Sequence, residues 1–303
     1  MKKAIIPLLF LFSVVLTLSA CQNASEKEPA SAKEGIAYYK KGDYQQALPL
    51  LEKAANAGNG DAALYLGKMY GQGKGVEQDV TRSFQWRLKA AEAGNRDATY
   101  TIVRAYLTGT GVEKDPAKAL KWLKKVVENI DEAHPNPEDE KVYLMLGGMY
   151  LAGMGTLKDF SEAAKWIEKA AERGHPIAQG QMALFYYSGQ GVLMNTEKAL
   201  YWAEKAAAQN EDTGEAVLGL YYQFREEPPD MEKAIYWYER AAAQQNYGAQ
   251  LKLGEIYEEG IGVEPDIAKA HAYYRQAARD GKKDELVQLL RDFEKEHHLE
   301  NTD

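Results

Sequence analysis

The chain has 303 residues, 45% of them hydrophobic and 27% charged, a composition that supports a packed core rather than a disordered coil. A formal net charge of −8 opposes non-specific nucleic-acid binding, which needs a basic face to release counterions. The one cysteine excludes an internal disulfide framework.

The first element reads as an export signal, residues 1–20. Met1-Lys2-Lys3 gives a positive start, and Ala4–Ala20 is an apolar run broken only by Ser, Thr and Pro7. That run falls short of the ~20 residues of a comfortable membrane span and fits a cleaved signal. It closes on Leu18-Ser19-Ala20-Cys21, which resembles the bacterial lipobox. The resemblance implies cleavage before Cys21 by signal peptidase II, diacylglycerol on the Cys21 thiol and acylation of the new amine. Each buried CH₂ contributes ~0.8 kcal/mol, so three acyl chains hold a protein to a bilayer in effect permanently. Gln22, in place of the aspartate that retains lipoproteins in the inner membrane, implies an outer-membrane destination, with the chain expected to face the periplasm. Residues 21–32, the lipidated cysteine followed by small polar residues, are expected to be a flexible tether.

Residues 33–60 follow as a short helical pair, GIAYYKKGDYQQALPLLEKAA over 35–55. From residue 61 to 284 one unit recurs. Tyr70, Tyr106, Tyr150, Tyr186, Tyr222 and Tyr257 mark it once per turn of the pattern, and Trp86, Trp122, Trp166, Trp202, Trp237 and Tyr273 march with them. A small pair lies four residues beyond each of the latter, from Ala90-Ala91 to Ala277-Ala278. Such periodicity marks a repeat array in which neighbouring units must stack to bury their apolar stripes.

Each unit reads as two helices. In the first, Leu66, Gly67 and Tyr70 share a face, and the glycine permits close approach of a neighbour. The second, as in DPAKALKWLKKVV (115–127), opens with Asp115 as N-cap and Pro116 at the first helical position, and buries Ala119, Trp122 and Val126. Gly94, Gly174 and Gly281 are expected to end such helices in the left-handed conformation. An acidic, proline-bearing insert at 130–140 explains the one long step in the array, and residues 285–303 give a capping helix and tail.

These residues closely resemble the Sel-one-like repeat, a relative of the tetratricopeptide repeat with a longer loop between its helices. The resemblance covers residues 33–284 and implies an all-α, right-handed α-solenoid of stacked helix-turn-helix units: a tetratricopeptide-like unit at 33–60 and six Sel-one-like repeats at 61–284. Some departures stand out. Val103 replaces the close-packing glycine of the second repeat, GTLKD (155–159) replaces the usual loop of the third, and QFREEPPD replaces the glycine loop of the fifth.

The loop YGQGKGVEQD (70–79) has the glycines and lysine of a phosphate cradle. Its siblings GTGVEKD, GQGVLMN and GIGVEPD keep the glycines without Lys74, and helices rather than a strand precede them. The glycines are therefore expected to supply positive φ, and Val76, Val112, Val192 and Val263 to turn back toward the core. The five histidines show no helical ligand spacing, and no cofactor or metal is expected. No nucleophile elbow or catalytic triad pattern is present, so the chain is not expected to be an enzyme. Cysteine-rich relatives linked to β-lactam binding carry paired cysteines that this chain lacks.

Tetratricopeptide arrays line a concave face with first-helix residues at fixed offsets from the glycine position. By that resemblance the partner-binding residues are Tyr100, Arg104, Leu107, Leu144, Leu151, Leu184, Tyr187 and Leu220, with Phe224 beside them. An exposed apolar strip marks a contact surface, and an acidic chain is best steered by a partner with a basic surface. The reading is a membrane-anchored periplasmic protein-interaction module, a scaffold or adaptor of the cell envelope. The alternatives are an immunity lipoprotein that neutralises a secreted phospholipase effector of a type VI system, and a peptidoglycan-binding or hydrolytic envelope protein.

Overall fold

The computed structural model describes residues 30–130 and 139–299, all of it helix and connecting loop, with no strand among the described residues. The signal, Cys21 and most of the tether lie outside the described residues. The tether ends earlier than expected: the first helix starts at Ala30, and Ala32 is fully buried. The core of the acidic insert, residues 131–138, also lies outside, while Asp139 and Glu140 belong to the helix that follows.

The chain divides into two compact units. The first holds α1 (Ala30–Lys41), α2 (Tyr44–Asn56), α3 (Gly60–Gln72), α4 (Val80–Glu92) and α5 (Arg96–Thr108). The second runs through α6 (Pro116–Glu128), α7 (Asp139–Ala152), α8 (Phe160–Glu172), α9 (Pro176–Ser188), α10 (Thr196–Ala207), α11 (Asp212–Phe224), α12 (Met231–Ala243), α13 (Tyr247–Glu259), α14 (Ile267–Gly281) and α15 (Asp284–Glu296). Within each unit every helix packs on the next in sequence, the arrangement of an α-solenoid.

Local chemistry fixes where each helix begins. Asn59, Asn95 and Asn246 cap the first helices of their repeats by accepting from Ala62, Ala98 and Ala249 N–H. Asp79, Asp159, Asn195, Asp230 and Asp266 cap second helices in the same way. The connecting loops turn on left-handed glycines, and at Gly111 space forbids anything larger. Its φ is +73°, and a Cβ there would fall on the Val80 carbonyl of α4. Val76, Val112, Val192 and Val263 are half-buried, as the plug reading expects. Gly94 and Gly174 take the expected left-handed conformation, but Gly281 does not. It stays inside α14, and Lys282 makes the turn at φ 49°, because Gly281 packs closely against Leu286 of α15.

Paired helices are keyed by size. A Cβ on Gly254 would lie 2.5 Å from the Tyr274 ring, and one on Gly219 would lie 2.5 Å from Tyr238. Glycine in one helix thus makes room for a bulky partner in the other. Where the first helix carries Ala183, the same register of the second holds only Ala203, and both are fully buried. Of the expected α6 stripe, Ala119 is buried, whereas Trp122 and Val126 are only half-buried and Leu120 and Leu123 complete the core face. Trp86, Trp122 and Trp237 are half-buried and Trp202 is buried, each with a cation over the ring: Lys89 on Trp86, Lys125 on Trp122, Lys205 on Trp202 and Arg240 on Trp237.

Candidate partner-binding surfaces

The expected strip falls into separate groups. Tyr100, Arg104 and Leu107 lie on α5 in the first unit, with Arg104 exposed and the other two half-buried. Leu144 and Leu151 are half-buried on α7. Leu184 and Tyr187 lie on α9, and Leu220 and Phe224 on α11, a helix that packs directly against α9. Leu184 is exposed and Phe224 is 55% exposed, whereas Leu220 leans on the core cluster around Tyr238.

Around Tyr187 the structure adds residues that the strip did not include. The Arg225 guanidinium lies 5.4 Å from the Tyr187 ring centre and donates to the Met194 sulfur at 3.5 Å. Met194 is exposed, and its neighbour Leu193 is 91% exposed. Leu193 occupies a loop position filled by Glu77, Glu113 and Glu264 in three other repeats, and Leu157 takes the same place in the third. Comparing the loops position by position would have picked out both leucines. Arg225 thus joins Tyr187 and Met194, with exposed Leu193 and Phe224 each next in sequence to a member of that group; aromatic residues, Met and Arg are enriched at interfaces.

A second surface lies at the C-terminal end. A cavity of about 730 Å³ opens beside α15, floored by Tyr274, Leu289 and Phe293. Glu258, Asp284, Glu285, Asp292 and Glu296 line it, and no cation does. Tyr274 donates to Glu258 at 2.7 Å, and burial followed by that carboxylate pushes its phenol well above the ordinary range. His297 also reaches Glu258 at 3.3 Å. Asp284, Glu285 and Glu296 are exposed. Such a groove attracts cations and repels anions.

Between these surfaces a ladder of buried polar groups holds the helices in register. Gln209, in the turn after α10, donates to the Gln179 amide oxygen at 2.8 Å, and Gln179 donates to the Ala171 carbonyl of the preceding repeat. One repeat on, Glu215 is fully buried and accepts from Arg240 at 2.6 Å and Gln244 at 2.7 Å. At the next, Gln250 donates to both Asp280 and the Ala242 carbonyl. These residues were not legible as a set, since the chemistry changes at each step while the position stays fixed. Glu211, N-cap of α11, is buried against Gly180, and that burial raises its carboxyl to about 7 against the pull of the Gly214 N–H.

The loop that looked like a phosphate cradle is otherwise engaged. Gly73 and Gly75 both have positive φ, and Lys74 lies over the Tyr39 and Tyr44 rings at 5.5 and 5.8 Å. Gly71 belongs to α3. Among the described residues no group of three or more His, Cys, Asp or Glu side chains is placed to hold a metal. No helix among them is long and apolar enough to cross a membrane.

A family model for the Sel1 repeat matches residues 30–59, 60–95, 104–128, 141–175, 176–211, 214–246 and 248–282. The first interval covers the short unit expected to be tetratricopeptide-like. Among solved structures, a Sel1 repeat protein from Oxalobacter formigenes is 34% identical with a TM-score of 0.57, over 82% of this chain and 99% of that one. A protective antigen present in uropathogenic Escherichia coli, displaying an SLR fold, is 28% identical with a TM-score of 0.62. That match covers 88% of this chain but 56% of the antigen, so the chain spans little more than half of the antigen's length. An immunity protein from Pseudomonas aeruginosa is 23% identical with a TM-score of 0.41, over 73% of this chain and 81% of that one. Comparison with curated proteins gives no match.

Proposed function

The chain belongs to the Sel1 repeat family, a protein-interaction fold, and from that premise we propose that it is a lipid-anchored scaffold of the cell envelope. The lipobox pattern at Leu18–Cys21 supports anchoring through Cys21, and Gln22 supports the outer membrane with the repeats in the periplasm. The observation that carries the binding role is Arg225 joining Tyr187 to exposed Met194, with exposed Leu193 and Phe224 next to them in sequence. Large apolar side chains left in water on a pre-organised scaffold bind with little ordering cost. The carboxylate-lined groove beside α15 supports a partner with a basic surface.

Site-specific photo-crosslinking tests this directly. A crosslinker at Leu184 or Phe224 should trap one defined adduct in intact cells, and one at exposed Gln85 should not. Leu184→Ala with Tyr187→Ala should abolish that adduct while leaving the circular dichroism spectrum unchanged; an unaltered adduct overturns the surface. Cys21→Ser should abolish palmitate labelling and release the protein from the membrane fraction.

The acidic groove also favours one narrower role, capture of a basic secreted phospholipase near its membrane substrate. Deletion of the gene should then expose cells to intoxication by their siblings; normal survival in that competition rules the narrower role out.

A further inference from the structure

In the first unit the repeat pattern breaks at three places that meet in space. One residue after the marker tryptophan or tyrosine, other repeats carry Leu123, Ile167, Ala203, Tyr238 and Tyr274, all buried; here the residue is Arg87. Three residues before that marker every other repeat has alanine, and here it is Ser83. One residue after the first-helix tyrosine, where others place a side chain of Leu107 or Tyr187 size, stands Gly71. A Cβ on Gly71 would lie 2.8 Å from Ser83 Oγ and 3.2 Å from an Arg87 terminal nitrogen, so the missing side chain makes room for Ser83 and Arg87 themselves.

Beside them lies a pocket of about 290 Å³ between α3, α4 and α5, with Arg87 and Arg104 in its lining and no carboxylate. Its remaining walls are Gln72, hydroxyls, backbone and the apolar Val80 and Phe84. The Arg87 Nε is shielded from solvent and meets no hydrogen-bond partner. No ion pair reaches either arginine among the described residues. Burial, and then the nearby Arg104, hold the Arg87 guanidinium below its ordinary range. The hydroxyls are already committed, Ser83 donating to the Gly67 carbonyl at 2.7 Å and Thr108 to that of Arg104 at 2.9 Å.

A guanidinium whose Nε is buried without an acceptor, lining one pocket with a second arginine, is a costly arrangement for packing alone. An oxyanion removes the cost: it offers acceptors to both planar forks and neutralises their repulsion. We propose that Arg87 and Arg104 form a binding site for a small phosphate-class oxyanion, seated in the pocket they line. The overall acidity of the chain makes recognition short-range, so the guanidinium contacts rather than the global field set the affinity.

The test is a thermal-shift and calorimetric titration of the full soluble chain with inorganic phosphate and with glycerol 3-phosphate. Chloride serves as the reference at constant ionic strength. Phosphate should raise the melting temperature saturably and more than chloride. Arg104→Gln, at an exposed position that leaves the fold intact, should weaken binding about tenfold or more. Arg87→Met, which restores an apolar residue as in the other repeats, should remove the phosphate response and leave the unliganded protein at least as stable as before. Glycerol 3-phosphate binding would identify a soluble ligand. Arginine-dependent sedimentation with phosphatidylglycerol vesicles, without binding of either soluble phosphate, would identify a lipid headgroup. An equal phosphate response in wild type, Arg104→Gln and Arg87→Met overturns the proposal, as does the absence of any response beyond chloride together with no vesicle binding.

Discussion

Replacing Arg240 by methionine isolates the strongest link of the polar ladder. Glu215 is fully buried and accepts from two Arg240 nitrogens at 2.6 and 2.9 Å. Arg240 also donates to Asn210 and Tyr236 and lies over the Trp237 ring. Breaking a buried pair by removing one partner costs about 3–5 kcal/mol, because the other charge is left uncompensated. Two features reduce that here. Gln244 still donates to Glu215, and the Arg240 side chain is 35% exposed, so water enters where the guanidinium was. Methionine keeps the apolar stem over the indole. The expected cost is therefore about 2–3 kcal/mol, roughly a 30- to 150-fold rise in the opening equilibrium at ~1.4 kcal/mol per decade. Amide exchange of α11 and α12 reads it locally, and urea unfolding followed by Trp237 fluorescence reads it in bulk. Adding Glu215→Gln should recover most of the loss, since the orphaned charge is gone. A single-variant cost below about 0.5 kcal/mol, the ceiling for an ordinary surface change, or a double variant no better than the single, refutes the reasoning.

Gly254→Leu should overpack α13 against the Tyr274 ring, costing about 1–3 kcal/mol, and Tyr274→Ala in the same chain should recover part of the melting temperature. Glu211 gives a pH signature. Its carboxyl is raised to about 7, so its contribution is full below the unfolded carboxylate range and is lost as pH rises through about 7. Wild type should therefore lose up to about 3 kcal/mol between mildly acidic and alkaline pH relative to Glu211→Gln, as read by urea midpoints across that range. Lys74→Met should change stability by less than about 0.5 kcal/mol and leave calorimetric titration with ATP flat in both proteins, since Lys74 contributes only weak ring contacts.

The repeats were legible because their signal is redundant: Tyr, Trp, the small pair and the loop glycines recur in fixed register, so one altered residue such as Val103 does not erase the pattern. Helix starts were legible where Asp or Asn precedes the stripe. Helix ends were less so, as Gly281 shows, because packing against Leu286 decided between two possible turning residues. The strip named Leu184, Tyr187, Leu220 and Phe224, on two helices that pack together, but gave no sign of Arg225 over Tyr187. That contact joins different helices through side-chain reach rather than period. The polar ladder stayed hidden for a related reason. Gln179, Glu215 and Gln250 do the same work with different chemistry and find their partners some thirty residues away.

The two kinds of contact that hold the array also set how such a chain can be lengthened or shortened. Within a helix pair the fit depends on side-chain size, glycine opposite tyrosine at Gly219 and Gly254. Between pairs, Gln179 and Gln250 grip backbone carbonyls, those of Ala171 and Ala242, which any sequence offers. A whole helix pair can therefore be duplicated, deleted or transplanted and still find a grip on its new neighbour. Half a pair cannot, because its partner's key would no longer fit. The unit of inheritance in this architecture is the matched pair, cut in the loops that precede the first helix rather than in the glycine loops inside the repeat.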